Sequence, residues 1–263
     1  TIEFPEIIIA IPANVCYSND ALESVKLGSK VESIGANAFQ SCTSLKVIEL
    51  PNTLTTIGNY VLASTAIESI VIPEGVTVIP NRAFENTPLK SVTMSDKVTS
   101  IGDYVFQNCS AIETIKLPSS LVSLGASVFS GCSVIKTVTI PEGVTAIKNY
   151  TFQNCVALES VNLPAELSSI GTYVFKGCTA LKSITVPQGV TTISNYTFQN
   201  CTALESVTLG SGLKSINQYA FSGCSALQTI SIPESVTSIG TYVFNGCTAL
   251  KSITVPQGVT TIS

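Results

Sequence analysis

A phenylalanine that returns at a fixed interval constrains the fold of this chain more than any other feature. From Phe106 onward successive members are 23 residues apart, and the interval is 22 residues from Leu62 to Phe84 and from Phe84 to Phe106. Nine of the ten phenylalanines belong to the series, with Leu62 and Cys16 at the equivalent positions of two further repeats: Phe39, Phe84, Phe106, Phe129, Phe152, Phe175, Phe198, Phe221 and Phe244. A short fixed period predicts a solenoid, because such a repeat cannot bury its own apolar side and is stabilised by stacking on its neighbours.

Each repeat carries the same order of features, which is complete between Tyr173 and Thr192. Leu181, Ile184 and Val186 follow the LxxIxV pattern, which predicts a short strand with one buried face. A proline then ends the strand because it has no N–H to donate, and a glycine two residues later suits a turn. In the motif Gly-x-Tyr-x-Phe-x-x-Cys, the Phe, the Cys and the following Leu are three residues apart. This spacing predicts one or two turns of short helix or 3₁₀-helix.

These patterns predict an α/β solenoid that forms a single domain over residues 1–263. It contains about 11 repeats of 22–23 residues, with a parallel β-sheet on the concave side and short helical or 3₁₀ turns on the convex side. Residues 1–21 read as a degenerate first repeat. The sequence stops at Ser263, where the matching copy continues from Ser194 toward Phe198, so we expect a fragment of a longer array.

Composition excludes several classes of function. The net charge is −4, the chain has one Arg and no basic cluster, and nucleic acid is therefore a poor partner. His is absent, which removes His-based acid–base catalysis and the HExxH metal site. The longest apolar run, residues 7–11, is far too short to insert into a membrane. No basic residue precedes Lys26, so we expect an export signal and an anchor to lie elsewhere. We predict no enzymatic activity, no catalytic residue, no cofactor and no metal.

The pattern CxxLxxIxIPxxVTxIGxxxF, seen from Cys132 to Phe152, resembles the BspA-like, treponemal-type leucine-rich repeats. The resemblance covers residues 8–263, with Thr65 and Thr87 replacing Cys, and Ser95 and Gly210 replacing Pro. It implies an arc with a parallel sheet along its inner side. It also implies a secreted or cell-surface protein that adheres to host proteins and cells. The family brings no catalytic residues and no motif-defined binding residues.

Three further series of side chains follow the repeat. Eight cysteines three residues after the Phe position read as a buried row of thiols, with disulfides between neighbouring repeats and a metal or redox role as alternatives. A tyrosine two residues before Phe predicts either a stack that covers the turn or an exposed contact strip. Charges alternate in sign along the strands, which predicts cross-strand pairing or a charged edge of a ligand-binding face. The members of this last series are Glu23, Lys46, Glu68, Lys90, Glu113, Lys136, Glu159, Lys182, Glu205, Gln228 and Lys251.

The outward residues of the strands are the candidate binding surface. They are mostly small, neutral and polar, and the candidates are Thr93, Lys116, Thr139, Asn162, Thr185, Thr208 and Ser231. The function we predict is a non-enzymatic adhesion module that binds host or matrix proteins, including glycoproteins, as a monomer or by end-to-end association. The alternative is a structural spacer that holds another domain away from the cell. Residues 171–194 and 240–263 agree at 23 of 24 positions, and a spacer tolerates such identical copies.

Overall fold

The computed structural model describes residues 1–262 as two compact units, of which the first comprises Thr1–Cys132 and the second begins at Ser133. Each unit is a parallel β-solenoid, in which each strand pairs in parallel with the equivalent strand of at least one neighbouring repeat. The prediction that residues 1–263 form one domain stays a prediction. The expected interruption of the array at Ser263 lies outside the described residues.

One set of strands, the leading strands, begins just after the charged position of the repeat. In the first unit these strands are β1 (Ile2–Glu3), β3 (Ser24–Lys26), β5 (Val47–Ile48), β7 (Ser69–Val71) and β9 (Ser91–Thr93). In the second unit they are β12 (Thr137–Thr139), β14 (Ser160–Asn162), β16 (Ser183–Thr185), β18 (Ser206–Thr208) and β20 (Thr229–Ile230). Their central residues, such as Val138 and Ile184, are buried, whereas the residues on either side are exposed.

A second set, the trailing strands, follows the proline turn. In the first unit these strands are β2 (Ala10–Ile11), β4 (Ser33–Ile34), β6 (Thr56–Ile57), β8 (Val78–Ile79), β10 (Ser100–Ile101) and β11 (Ser123–Leu124). In the second unit they are β13 (Ala146–Ile147), β15 (Ser169–Ile170), β17 (Thr192–Ile193), β19 (Ser215–Ile216), β21 (Ser238–Ile239) and β22 (Thr261–Ile262). The predicted architecture has one strand in each repeat and lacks this second set. Each trailing strand is only two residues long, too short to display an alternating pattern.

The prediction of helical turns, and with it the α/β class, is wrong: residues 1–262 contain no α-helix and no 3₁₀-helix. Tyr150 and Asn154 have positive φ angles of 61° and 58°, which a right-handed helix does not accommodate. The N–H groups of Gln153 and Cys155 donate within the turn, to the carbonyls of Tyr150 and Phe152 at 3.1 Å. The N–H groups of Tyr150, Phe152 and Asn154 instead donate to carbonyls of the following repeat at 2.8–3.0 Å. The spacing of three therefore reflects successive tight turns rather than a helix.

The core of each unit is a column of phenylalanine rings. Phe175, Phe198 and Phe221 are fully buried, and their rings stack with centroids 5.4 and 5.2 Å apart. In the first unit, Phe84 and Phe106 stack in the same way at 5.8 Å. The predicted burial of the phenylalanine series is thus confirmed at these positions, because in-register stacking places each ring on its equivalent.

Candidate binding surface

The strand face, defined as the outward side chains of the leading strands, carries the predicted site residues. In the second unit, Thr139 lies opposite Asn162 and Thr185 lies opposite Thr208 in the strand register. All four are exposed, as is Ser231, which directly follows β20. Parallel strands are about 4.8 Å apart, so each residue has an equivalent on the neighbouring strand. Their role in binding stays a prediction.

The two candidates in the first unit have different surroundings. Thr93 ends β9 and lies opposite Val71 of β7. Lys116 is exposed but lies outside the strands, two residues after an isolated bridge at Thr114. The structure therefore places Thr93 on the strand face and Lys116 in an irregular connection, and it shows no contact between their side chains.

An open groove crosses the leading strands of the second unit and brings three of the candidates together. Its volume is about 710 Å³, and Asn162, Thr185 and Thr208 line it. The other lining residues come from the same strands and from the loops after them: Glu142, Ser160, Val161, Leu163, Ala165, Ser183, Val186, Pro187, Gln188 and Gly210. Three of the seven predicted residues thus line one open groove over β14, β16 and β18.

Gly210 lies in this groove at a position where most repeats have proline. A Cβ at this residue would come within 2.6 Å of the Gln188 Cα atom, so the close approach of the two backbones requires glycine. The groove therefore has no pyrrolidine ring at this point of its lining. The replacement of proline by glycine is visible in the sequence, but its effect on the shape of the groove depends on how neighbouring repeats stack.

Within residues 1–262, several side-chain hydroxyls outside the groove donate intramolecular hydrogen bonds, whereas three hydroxyls in the groove do not. Ser194 follows β17 and Ser235 lies in a turn, and they donate to carbonyls of neighbouring repeats at 2.7 and 2.6 Å. Within residues 1–262, the hydroxyls of Ser183, Thr185 and Thr208 have no such intramolecular partner. They are therefore able to donate to and accept from a ligand.

Ionisable groups are sparse around the groove. Glu142 is the only charged residue that lines it, and its Oε2 atom accepts from the Ala165 N–H at 3.2 Å. One carboxylate with no neighbouring base offers no acid–base pair for catalysis. The arrangement is suited to binding.

The strand face of the first unit is chemically different. Val47 and Val71 are 56% and 64% exposed and lie on the adjacent strands β5 and β7. Two smaller grooves of about 430 and 360 Å³ include them, with Glu49 in both linings. At one end, the Lys26 ammonium lies 3.9 Å from the Glu3 carboxylate. The sequence analysis did not single out Val47, although its outward position in the strand pattern would have indicated it.

The alternating charge series forms fewer pairs than predicted. Within the described residues, one pair of this series meets: Lys90 Nζ lies 2.7 Å from Glu68 Oε2, and both side chains are more than half exposed. Ordering two long exposed side chains costs entropy that a weak Coulomb attraction barely offsets. The alternation therefore avoids like-charge neighbours more than it forms salt bridges.

The cysteine series is buried, as predicted. The thiols of Cys178, Cys201 and Cys224 donate to the carbonyl of the phenylalanine in the preceding repeat at 3.0–3.1 Å. Burial raises the pKa of Cys109 to about 11 and raises the pKa of Cys178 well above its ordinary value. These groups remain protonated near neutral pH and are poor nucleophiles. Among the described residues, no group of His, Cys, Asp or Glu could hold a metal ion.

The tyrosine series forms a stack on the turn side of the second unit. Tyr150, Tyr173, Tyr196, Tyr219 and Tyr242 stack with ring centroids 4.6–5.0 Å apart. Each inner ring therefore has both faces covered by its neighbours, which leaves the edges and hydroxyls for contacts. This arrangement agrees with the predicted stack that covers the turn.

One member of the equivalent series in the first unit is an arginine. The Arg82 guanidinium lies 4.0 Å from the centre of the Tyr104 ring and 5.5 Å from that of Tyr60. It also donates to the Glu85 carboxylate at 2.8 Å. The only arginine of the chain is thus held by cation–π contacts and an ion pair within the stack.

Comparisons with known proteins agree with the repeat architecture. The sequence pattern of the BspA type Leucine rich repeat region matches residues 1–88, 77–201 and 168–263. A comparison with curated proteins gives no significant match. Within the described residues, no helix is long and apolar enough to cross a membrane.

Several solved structures resemble the chain. A leucine-rich repeat protein from Bacteroides ovatus is 30% identical, with a TM-score of 0.71 over 98% of this chain and 67% of that one. A leucine rich cell surface protein from Faecalibacterium prausnitzii is 27% identical, with a TM-score of 0.54 over 95% of this chain and 86% of that one. A leucine-rich repeat protein from Eubacterium ventriosum, 24% identical with a TM-score of 0.62 over 98% of this chain and 79% of that one, supports the fold. The full-length match to the repeat pattern shows that this chain belongs to the BspA-type leucine-rich repeat proteins.

Proposed function

We propose that the chain is a binding module of a secreted or cell-surface protein and mediates adhesion to host or matrix proteins through its strand face. The observation that carries this proposal is the groove of about 710 Å³ in the second unit. Three of its exposed polar side chains have no intramolecular hydrogen-bond partner, and its lining contains a single ionisable residue. The similarity to a leucine rich cell surface protein supports the location.

Affinity would come from many small contacts along repeated strands rather than from a single deep pocket. The groove is lined by short side chains on a paired sheet, so little conformational entropy is lost on binding. The two exposed valines of the first unit provide a second, more apolar contact area. Catalysis is disfavoured because Glu142 has no acid–base partner in the groove.

Surface plasmon resonance with a panel of matrix proteins and host-cell glycoproteins tests the proposal at low and physiological salt. We expect saturable binding that persists at physiological salt, because the groove is nearly uncharged. The double variant Thr185→Arg/Thr208→Arg should abolish it by filling the groove, whereas Thr191→Arg, just before the trailing strand β17 and outside the strand face, should not. Binding that is unaffected by the double variant would rule out the groove as the adhesive site.

A spacer is the second candidate function. It is favoured by the agreement of residues 171–194 with 240–263 at 23 of 24 positions, since a stalk needs no diversified face. A folded chain that binds none of the panel would favour the spacer.

A further inference from the structure

The backbone groups that join β16 to β18 in the groove are already paired, which restricts the partners that this part of the groove can take. The Val186 N–H donates to the Thr208 carbonyl at 2.8 Å, and β16 pairs with β18 along its length. An extended peptide usually binds a sheet by adding a strand at a free edge. β14 belongs to a separate sheet from β16, but no strand edge is free between β16 and β18, so recognition over these two strands depends on side chains.

The side chains that remain carry hydrogen-bonding groups without charge. Ser183, Thr185 and Thr208 offer free hydroxyls, and the exposed Gln188 adds an amide. A polyanion requires Lys or Arg side chains to neutralise it, and none lines the groove. A protein hot spot typically uses Trp, Tyr or Arg anchors, and these residue types are also absent from the lining.

Apolar groups complete the lining at its edge. Leu163 and Pro187 are half-buried and present C–H surface beside the hydroxyls. A sugar ring is amphipathic in the same way, because its hydroxyls point outward around a ring whose faces carry C–H groups. The groove therefore matches both surfaces of an uncharged sugar.

The groove is also periodic. Its strands β16 and β18 are paired in register, as in Ser183 with Ser206 and Thr185 with Thr208, at a spacing of about 4.8 Å. A polymer of linked sugars that lies across the strands would meet an equivalent pair of outward side chains at each strand. A linear chain can use this repetition better than a single sugar can.

From these four observations we infer that the groove over β14, β16 and β18 binds an uncharged polysaccharide chain that lies across the strands. This inference rests on the proposed binding function and specifies its ligand: adhesion is directed at neutral glycans carried by the target. The hydroxyls of Thr185 and Thr208 are its principal specificity-determining groups.

Biolayer interferometry on the whole 263-residue chain tests this inference. The neutral probes are yeast mannan and cellohexaose, heparin serves as the polyanionic control, and one glycoprotein is used before and after enzymatic removal of its N-glycans. We expect saturable binding to a neutral probe, none to heparin, and loss of glycoprotein binding after deglycosylation. Thr185→Val and Thr208→Val each remove a hydroxyl at nearly constant shape and should weaken the binding about fivefold.

The matched control is Thr191→Val, since Thr191 is exposed and directly precedes the trailing strand β17, outside the groove and the strand face. Its affinity for the neutral probe should equal that of the unaltered chain. Circular dichroism and thermal unfolding establish that each variant is folded.

The outcomes separate this inference from the proposed function. If a protein target is bound equally well after deglycosylation and no neutral probe binds, adhesion stands and the glycan inference is overturned. If neither glycans nor proteins bind the folded chain, both are overturned. Heparin binding that competes with mannan would also contradict the inference, because the groove would then recognise charge.

Discussion

Truncation of one phenylalanine in the stacked core should destabilise the second unit strongly. Phe198 is fully buried and lies between Phe175 at 5.4 Å and Phe221 at 5.2 Å. Phe198→Ala removes the ring and leaves a cavity in a column that cannot close without shifting the paired strands. A buried Phe→Ala change costs about 3–5 kcal/mol, and the loss of two stacking contacts favours the upper half of that range. We therefore expect a loss of about 4 kcal/mol in the free energy of unfolding.

Urea unfolding followed by circular dichroism and by tyrosine fluorescence measures this loss, since the chain contains no Trp. Phe244→Ala is the matched control, because Phe244 is half-buried and stacks on Phe221 at 5.8 Å. The control should cost about 1–2 kcal/mol, since half-exposed apolar surface contributes less. Equal costs at the two positions would refute the view that two-sided stacking in a dry column stabilises the unit.

Three further changes test other parts of the account. The folded-state pKa of Cys109, about 11, lies above its ordinary value of 9.0; its contribution to stability is therefore present below about pH 9 and lost as the pH rises through about 11. Urea unfolding should give a lower free energy of unfolding at about pH 10.5 than at about pH 8. Cys109→Thr should reduce this difference by roughly 2 kcal/mol, and an unchanged difference would contradict burial of the thiol. Glu68→Gln should change the free energy of unfolding by less than about 0.5 kcal/mol, because its ion pair with Lys90 is exposed; a larger change in thermal unfolding would show that charge pairing maintains the register. Gly177→Ala should cost about 1–2 kcal/mol, since φ is +75° and the new Cβ would lie 2.6 Å from the Asn154 Oδ1 atom. A double-mutant cycle with Asn154→Gly should recover part of that cost, and strict additivity would contradict the contact.

The contact between Asn154 and Gly177 explains why the chain also repeats with a doubled period. Asn and Gly alternate at the second position after phenylalanine, as in Asn154, Gly177, Asn200 and Gly223. The Asn200 Oδ1 atom would lie 2.3 Å from a Cβ on Gly223, which repeats the arrangement one doubled period later. Each asparagine side chain thus occupies space that the following glycine leaves open. The sequence motif NYTFQNC, which contains this asparagine, recurs at Asn149 and Asn195, one doubled period apart.

Regular features of the fold were predictable from the sequence because they depend on residue type at a fixed interval. The buried phenylalanine column and the leading strands follow from apolar spacing alone. The turns were not predictable in the same way, because Tyr150 and Tyr173 adopt positive φ angles of 61° and 59°. Tyrosine does not signal this conformation, which favours Gly, Asn and Asp. A spacing of three is shared by 3₁₀-helices and by successive tight turns.

The residue types of the candidate site could be predicted from the sequence, but the shape of the groove could not. Alternation within a strand identifies Asn162, Thr185 and Thr208 as outward residues, and the structure places all three in one groove. The close approach of Gly210 to Gln188 in the lining of the groove involves two repeats, so no single repeat encodes it. The same alternation predicts that Lys116 lies on a strand, but it does not, because its repeat forms an isolated bridge instead of a full leading strand.

The most direct test of the binding account is to map the contact surface by NMR. Amide resonances of the isotope-labelled 27.5 kDa chain would be followed while the tightest-binding target or neutral glycan is added. The account predicts shifts concentrated at residues 160–163, 183–188 and 208–210, with the amides beside the tyrosine stack unchanged. Shifts centred on the tyrosine stack, or on Val47 and Val71 alone, would contradict the assignment of the groove as the binding site.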